Sequence, residues 1–506
     1  MKNFKIYAMG LAMAGALSFT SCADDYLDTA PTDAVSNVTI AQNMESLYLG
    51  LNGIHRQMIS QESGYQCMGG LGGMMYIMDI MADDITWKIN TWMKAAYLGW
   101  QCNMNESNGY NTVFWRLYYQ WIMNANGLLE VLENTDVAAL SGSDKALYEQ
   151  IKGEALMFRA FSHFQAVQTY GDAYKAGGGN SQLGVPYRTV ENRNEGELAR
   201  STVEETYAKI NADLAEACSL LEGKNISELN HWSAKSAYAV RARVAMAMHD
   251  YAAAANYAEK SIQLAEAEGG KLMDASNLMN GFADITTKTN EAMYAAMTQD
   301  DQTIYFYSFY AYMSWNFSAT AIRQGVKGIN ADTYDLMSET DLRRQWWDPT
   351  GSYDDLPLTS FQAGSIPYQN RKFTARSVSN AVGDVAFIRL SEMYLTLAEA
   401  YARGGNAAKA QEVFTKFQVT RDPAYVSQGN TGDALAEEIM TSRRIELWAE
   451  GLRYFDLKRL NLPIKRGRNF DITFCTFLEK EAGADGWTWE IPKIETDNNP
   501  LCEKNY

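Results

Sequence analysis

The sequence has few of the residues from which metal sites and disulfide frameworks are built. Its 506 residues include only six cysteines and four histidines. No two cysteines have the Cys-x-x-Cys spacing and no two histidines have the His-x-x-x-His spacing, so the common zinc and haem motifs are excluded. We therefore expect no metal and no cofactor. We expect structural roles for the four histidines, which are His55, His163, His231 and His249.

The cysteines are an odd, scattered set once Cys22 is set aside. Such a set is not a disulfide framework, and a chain of this size has enough apolar residues to form a core without one. Cys67 and Cys102 could form a disulfide in the N-terminal region. Buried free thiols are the alternative that we favour.

Basic residues are also in short supply. The 44 lysines and arginines are outnumbered by 61 aspartates and glutamates, which gives a formal net charge of -17 at pH 7. Nucleic acids and anionic lipids require a basic surface, so neither is expected to be the main partner. Neutral and cationic ligands remain compatible with this charge.

Long apolar runs are absent except for Ile6–Leu17, which follows Lys2 and Lys5. This run is too short to cross a bilayer, so it predicts a signal peptide over residues 1–21 rather than a membrane-spanning helix. The peptide ends at Cys22 in a pattern that resembles the lipobox of bacterial lipoproteins. We therefore predict that Cys22 carries lipid, the alternative being an ordinary signal peptide with a coincidental cysteine.

Motifs of catalysis are missing as well. The sequence contains no Gly-x-Ser-x-Gly elbow, Walker loop or Rossmann fingerprint, and Gly177–Gly179 lacks the Lys-Ser/Thr ending of a phosphate loop. Glycosidases need two carboxylates held across a sugar, and adjacency in sequence does not give that geometry. We interpret Asp83-Asp84 and Asp354-Asp355 as solvated loop charges and predict that the protein is not an enzyme.

Helical periodicity dominates the rest of the chain. A capping box is predicted at Ser201 and Glu204, and Gly404-Gly405 is typical of a helix C-terminus. Ala-rich helix pairs of this size are similar to degenerate tetratricopeptide repeats, whereas residues 270–385 read as short strands and irregular chain. The predicted helices are Thr112–Glu133, Lys145–Tyr170, the helix that follows Ser201, Ser233–Met248, Tyr251–Glu268, Phe387–Arg403, Ala407–Val419 and Asp433–Leu460.

A series of short segments spread over the chain carries a resemblance to one family. They are Asp25-Tyr-Leu-Asp-Thr-Ala-Pro31, Glu154-Ala-Leu-Met-Phe-Arg-Ala160, Tyr170-Gly171, Gly184-Val-Pro-Tyr187, Arg200-Ser-Thr-Val-Glu-Glu205, Trp232-Ser-Ala-Lys235, Arg389-Leu-Ser-Glu-Met-Tyr-Leu395, Ala398-Glu-Ala400, Arg443-Arg-Ile-Glu-Leu447, Glu450-Gly-Leu-Arg453, Asp456-Leu-Lys-Arg459, Ile491-Pro492 and Asn499-Pro500. In this order they resemble the SusD/RagB family of outer-membrane nutrient-binding lipoproteins.

The resemblance implies a mostly α-helical SusD-like domain over residues 22–506, with irregular loops and short strands. It also implies a surface-exposed lipoprotein that captures oligosaccharide or polysaccharide and passes it to a SusC-like TonB-dependent transporter. The acidic Ala23-Asp24-Asp25 resembles the signal that places Bacteroides-type lipoproteins outside the outer membrane. The alternative ligand is a peptide, as in the RagB branch, and a surface glycan hydrolase is the third and weakest alternative.

Charged residues inside the predicted helices are expected to be scaffold. Ion pairs and carbonyl contacts between neighbouring helices are the usual role of such groups, and nothing in the sequence places a nucleophile beside them. The residues concerned are Glu154, Arg159, Arg443, Arg444, Glu446, Arg453 and Asp456.

Aromatic residues cluster in two loop-rich portions, about 60–110 and 270–385, that we predict to bind the ligand. Aromatic faces stack on the C–H faces of sugars while nearby polar groups take the hydroxyls. Trp115 and Trp121 follow a helical period and are predicted core residues. The predicted ligand-binding residues are Asp84, Trp87, Asn90 and Trp92 from the first portion, and Tyr307, Trp315, Arg323 and Trp346 from the second. The alternative for each aromatic is packing in the core.

Overall fold

The computed structural model of the protein describes residues 43–60, 68–87, 99–298, 308–317, 325–351, 365–473 and 475–506. In chain order its helices are α1 Met44–Gln57, α2 Gly70–Met81, α3 Gly109–Glu133, α4 Gly142–Tyr170, α5 Val203–Leu221, α6 Ala234–Ala247, α7 Tyr251–Ala267, α8 Ile285–Lys288, α9 Phe309–Met313, α10 Ala331–Tyr334, α11 Leu390–Arg403, α12 Ala407–Gln418, α13 Gly432–Glu446, α14 Arg453–Arg459 and α15 Lys493–Asn498. Short 3₁₀ turns lie at Val137–Ala139, Gly281–Ala283 and Leu342–Trp346.

The long helices pack against one another, which is how an amphipathic helix buries its apolar stripe. Helix α4 packs against α1, α3 and α5, helix α7 packs between α6 and α11, and α11 packs against α12 and α13. Trp115 and Trp121, on α3, are buried in the core as predicted. The predicted mainly helical fold is therefore confirmed.

The strands are short and form three antiparallel sheets. The largest has the order β1 (Ile85–Trp87), β3 (Lys327–Ile329), β5 (Gln369–Asn370) and β4 (Trp347–Asp348). A second pairs β2 (Ala292–Ala296) with β6 (Val385–Arg389), and a third pairs β7 (Ile464–Lys465) with β8 (Glu479–Lys480). Within the first sheet Trp87 faces Lys327, Gly328 faces Gln369 and Trp347 faces Asn370 across the strands.

Helix α5 begins one residue later than predicted. Its N-cap is Thr202, whose hydroxyl accepts from the N–H of Glu205 (3.1 Å) while the Glu205 carboxylate accepts from the N–H of Thr202 (2.9 Å). Ser201 cannot start the helix because its N–H and C=O are bonded to Val185 and Gly184 in an extended pairing. The capping box predicted at Ser201 and Glu204 is thus wrong by one position.

The predicted helix over Asp433–Leu460 is two helices, α13 and α14. The break between them contains two residues in the left-handed region, Ala449 (φ 63°) and Gly451 (φ 81°). The buried Asp79 carboxylate accepts hydrogen bonds from the N–H groups of Gly451 (3.1 Å) and Arg453 (3.0 Å). These N–H groups lie at the start of α14, where no preceding helical turn provides an acceptor. Similarly, residues 387–389 form the end of β6 because the adjacent β2 offers a strand partner.

A buried network of charges, here called the ionic core, joins the segments of the C-terminal half. It contains four basic and four acidic residues: Arg343, Lys372, Arg389, Arg421, Glu291, Asp341, Glu446 and Glu450. The numbers of acidic and basic residues are equal, so their formal charges cancel within this network.

Three of the four acids of the ionic core, Glu291, Glu446 and Glu450, are shared between basic partners. Glu446 accepts from Arg421 (3.0 Å) and lies 3.2 Å from Arg389, and Glu291 lies 2.6 Å from Arg389 and 2.8 Å from Arg421. Burial alone would raise the pKa of Glu446, but the two guanidinium groups outweigh it and hold that pKa far below its ordinary value. Of the charged residues predicted to be scaffold, Glu446 lies in this network, and Arg443 pairs with Asp456 at 2.8 Å between α13 and α14.

Candidate ligand-binding site

The four-stranded sheet lies where the two predicted ligand-binding portions of the chain meet. Strand β1 is followed directly by residues 88–98, β3 is preceded by 318–324, and β4 and β5 are separated by 352–364. Asn90, Trp92 and Arg323 belong to these segments, and Tyr307 to residues 299–307. All four residues, with Cys22, Cys67 and Asp354-Asp355, lie outside the described residues, so their roles stay predictions.

Trp87 and Lys327 occupy facing positions of the sheet and contact each other. The Lys327 ammonium lies 4.7 Å from the centre of the Trp87 ring and 5.6 Å from that of Tyr312, and it donates to the Tyr312 carbonyl (2.6 Å). Cation–π contacts of this kind favour the charged lysine. Burial opposes them and lowers the pKa of Lys327 to about 7.

Trp315 lies beside the same sheet and is half-buried. Its backbone N–H donates to the Phe373 carbonyl (3.1 Å), and its indole N–H donates to the Thr374 hydroxyl (2.9 Å). The Arg371 guanidinium stacks 4.5 Å from the ring centre. These three contacts fix the ring while part of it stays accessible, which is the arrangement that a stacking platform requires.

Three buried polar atoms of the sheet have no hydrogen-bond partner within the described part of the chain. They are the indole nitrogens of Trp87 and Trp347 and the amide oxygen of Gln369. The exposed fractions of these residues are only 2–4%. Since buried polar atoms are nearly always paired, such orphans indicate a place where water or a ligand supplies the missing partner.

Three of the predicted binding residues do not present a surface, and one of them is Trp87, which is only 4% exposed. Asp84 is 1% exposed, and its carboxylate accepts from Arg444 (3.0 Å) and the Thr333 hydroxyl (2.8 Å). Trp346 is 0% exposed, with its indole N–H bonded to the Leu278 carbonyl (2.9 Å). A fully enclosed side chain cannot stack on a sugar from solvent, so the structure places Asp84 and Trp346 in the core.

The interpretation of Asp83-Asp84 as solvated loop charges is wrong. Both side chains are buried, and Asp83 is paired with Arg453 at 2.8 Å. Burial would raise the pKa of Asp83, but the Arg453 and Arg444 charges reverse that effect and lower it. These carboxylates therefore anchor β1 to the helices α13 and α14.

Sequence reasoning missed Lys327, Gln369 and Arg371. Lys327 is a lone charge at the start of an apolar strand, and no motif marks it. Gln369 and Arg371 follow a proline-containing segment whose apolar residues show neither helical nor strand periodicity. Their proximity to Trp87 and Trp315 comes from the pairing of strands far apart in sequence, which periodicity does not encode.

A second group, His55, Glu154 and His231, has the composition of a metal site and is buried. The Glu154 carboxylate accepts from His55 (2.7 Å), His231 (3.0 Å), the Trp232 N–H (3.0 Å) and the Gln150 amide (2.9 Å). The other ring nitrogens of the histidines contact the hydroxyls of Tyr294 and Tyr48. Every polar atom of the group thus has a protein partner, so the donor set is accounted for by hydrogen bonds and gives no indication of a metal.

The described part of the chain is thus mainly helical, with a small sheet that carries aromatic residues. Two family models match the chain: one described as starch-binding and associating with the outer membrane matches residues 25–246, and one described as the SusD family matches residues 266–506. The chain therefore belongs to the SusD/RagB family, a family of carbohydrate-binding proteins associated with the outer membrane. The predicted family is confirmed. No helix among the described residues is both long and apolar enough to span a membrane.

Relatives agree with this assignment. A SusD-like protein of Formosa agariphila is 31% identical over 104 residues, which are 19% of this chain and 21% of that protein. A SusD superfamily protein of Bacteroides thetaiotaomicron has a similar structure, with a TM-score of 0.77, 22% identity and coverage of 92% of this chain and 100% of that one. A SusD-like carbohydrate binding protein of Bacteroides vulgatus gives a TM-score of 0.78 at 20% identity, over 91% and 97% of the two chains.

Proposed function

We propose that this protein captures oligosaccharide at the bacterial surface and delivers it to a SusC-like TonB-dependent transporter. The sugar is held at the four-stranded sheet, with Trp315 as the stacking platform. The observation that carries the proposal is the fixed, half-exposed ring of Trp315.

We further propose that residues next in sequence to the described parts of the sheet and of α9 contribute to the site. Asn90 and Trp92 follow β1, Arg323 precedes β3, and Tyr307 precedes α9. Amide and guanidinium groups are suited to sugar hydroxyls, and aromatic rings to their C–H faces. We propose these four residues as further contacts around Trp315.

Binding to a panel of plant, host and microbial polysaccharides tests the proposal, with casein-type peptides as the competing class. We expect Trp315→Ala to weaken glycan binding about tenfold, because ring stacking contributes on the order of 1 kcal/mol or more. Trp315→Phe keeps an aromatic face and is expected to retain most of the affinity. Tyr401→Ala, at a half-buried tyrosine outside the sheet, is the matched control.

Each other outcome has a clear meaning. Peptide binding without glycan binding favours the alternative ligand. If Trp315→Ala leaves glycan binding unchanged, the sheet is not the binding site. Release of new sugar ends from a polysaccharide would establish a hydrolase and refute a purely binding role.

Delivery and anchoring have their own tests. Extraction of membranes in mild detergent is expected to co-purify a TonB-dependent transporter with the protein, and its absence would contradict the partnership. Cys22→Ala is expected to release the protein from the membrane fraction. Retention of that variant would contradict the proposed lipid anchor.

A further inference from the structure

A cleft of about 730 Å³ lies away from the four-stranded sheet and shares no residue with it. It is formed where α4, α6 and α14 end, together with two segments near the end of the sequence. Its walls come from residues 172–176, His249, 457–462, 483–488 and 505–506. Ligand pockets have volumes of roughly 300–1,000 Å³, so the size is that of a binding cleft.

One aromatic ring in the cleft is both exposed and fixed. Tyr506 is 55% exposed, yet its hydroxyl donates to the Thr488 carbonyl (2.8 Å) and accepts from the Gly486 N–H (2.9 Å). Its backbone N–H donates to Glu490 (3.0 Å), and the Asn505 amide donates to the Tyr170 carbonyl (2.9 Å). Because both the hydroxyl and the backbone N–H of Tyr506 are hydrogen-bonded, its ring is already oriented before a ligand binds.

The backbone around the cleft makes several left-handed turns. His249 (φ 59°), Asn461 (φ 50°) and Gly483 (φ 68°) are all in the left-handed region. A Cβ on Gly483 would lie 3.5 Å from the Asn461 side-chain oxygen, so the two turns approach each other closely. Left-handed residues other than glycine are uncommon and concentrate at functional sites.

The charges of the cleft are mixed and partly neutralised. Asp172 and Asp485 are exposed acids, and Lys175 is an exposed base. Lys458 donates to the Gln168 (2.7 Å) and Gly171 (2.8 Å) carbonyls at the end of α4. With no dominant sign, the cleft is not built for a highly charged ligand.

We propose that this cleft is a second oligosaccharide-binding site, for a neutral sugar chain. The Tyr506 ring takes a C–H face of one sugar residue, and the carboxylates of Asp172 and Asp485 with the amide of Asn461 accept and donate hydrogen bonds to hydroxyls. The choice of sugar as the ligand class rests on the function proposed above. The site itself rests on other residues.

Isothermal titration calorimetry of the full protein with neutral hexasaccharides tests the inference. The probes are maltohexaose, cellohexaose, xylohexaose, laminarihexaose and mannohexaose. We expect two equivalents of one of these to bind. Tyr506→Ala is expected to abolish one equivalent or weaken it at least about tenfold, while Tyr506→Phe, which keeps the ring, retains it.

Controls separate a folding defect from a lost contact. Asp485→Asn changes an exposed group and is expected to weaken the same equivalent several-fold without altering the melting temperature. Val426→Ala, at a 72% exposed residue outside the cleft, is expected to leave both equivalents unchanged.

The variants distinguish a wrong proposal for the cleft from a wrong proposal for the sheet. If Trp315→Ala removes one equivalent and neither Tyr506→Ala nor Asp485→Asn changes anything, the cleft is refuted and the sheet stands. If the cleft variants remove all binding and Trp315→Ala removes none, the sheet is refuted instead. A protein that binds none of the probes or polysaccharides overturns both.

Discussion

Replacing Glu154 by glutamine is expected to cost the protein a large part of its stability. Glu154 is fully buried and its two oxygens accept hydrogen bonds from two histidines, one backbone N–H and one glutamine amide. A glutamine in its place has one oxygen and one NH₂ group. The NH₂ group would face a donor, so at least one buried donor would be left without an acceptor.

The magnitude follows from the pKa of the carboxyl group. Burial alone would raise the pKa of Glu154, but the hydrogen bonds from His231 and His55 outweigh it and hold that pKa at about 2, against an ordinary 4.5. That difference corresponds to roughly 3 kcal/mol of stabilisation of the charged form. Because the folded pKa is depressed, this stabilisation is present above about pH 4.5 and is lost as the pH falls toward 2.

His55 adds to the acid sensitivity in the same direction. Burial lowers its pKa from an ordinary 6.5, so folding favours the neutral ring. Its contribution is present above pH 6.5 and declines as the pH falls below that value. Stability is therefore expected to begin to fall in mild acid and to fall further below pH 4.5.

Urea unfolding followed by tryptophan fluorescence at pH 7, 5 and 3 measures these effects. We expect Glu154→Gln to lower the free energy of unfolding by about 3 kcal/mol at pH 7, and by less at pH 3, where the wild type has begun to lose the same contribution. Glu149→Gln, at a partly exposed glutamate paired with Lys224, is the control and is expected to cost below about 0.5 kcal/mol. A loss under about 1 kcal/mol for Glu154→Gln, or one that does not depend on pH, would refute this reasoning.

Three further substitutions test the framework around the site, each by the free energy of unfolding. Glu446→Ala removes an acid shared by Arg421 and two other arginines, and it is expected to cost on the order of 3–5 kcal/mol because buried charges lose their partner. Gly451→Ala is expected to cost about 2 kcal/mol or more, since a Cβ there would lie 2.7 Å from the Met75 Cα at a φ of 81°. Asp79→Asn is expected to make the free energy of unfolding less dependent on pH between pH 4 and pH 8 than it is in the wild type, because burial raises the pKa of Asp79 to about 8 and its contribution, complete below pH 3.8, is lost as the pH rises.

Matched controls for these three are exposed residues of the same type, namely Glu437→Ala, Gly196→Ala and Asp433→Asn. Each is expected to change stability by less than about 0.5 kcal/mol. A Glu446→Ala variant as stable as Glu437→Ala would mean that the ionic core contributes nothing net. Equal pH profiles for Asp79→Asn and the wild type would contradict the assignment of a protonated Asp79.

Helices were predictable from the sequence because their signals are local. The apolar period fixed the C-terminal bound of α4 at Tyr170, and the predicted start of α7 at Tyr251 agrees with the structure. The predictions that were wrong depended on partners distant in sequence. Ser201 is held by Gly184 and Val185, and the break before α14 is held by Asp79.

The binding residues were predicted less well than the helices, in part because the ion pairs that bury a charged residue can come from distant parts of the sequence. Asp84 looked solvated because its neighbours in sequence are polar, whereas Arg444 and Arg453, some 360 residues later, enclose it. Trp315 and Trp346 both follow aromatic or polar stretches, and nothing local distinguishes the half-exposed ring from the buried one. The ring of Tyr506 gave no signal either, because its anchoring on Glu490 and Gly486 comes from tertiary contacts.

The ionic core has a consequence for how proteins of this kind can be altered. Since Glu446 serves three arginines and Arg389 serves three glutamates, no single member can be exchanged without stranding another buried charge. Substitutions at these eight positions are therefore expected to cost more stability than substitutions at exposed positions. An engineer who wishes to alter the protein would leave this network untouched and change residues outside it.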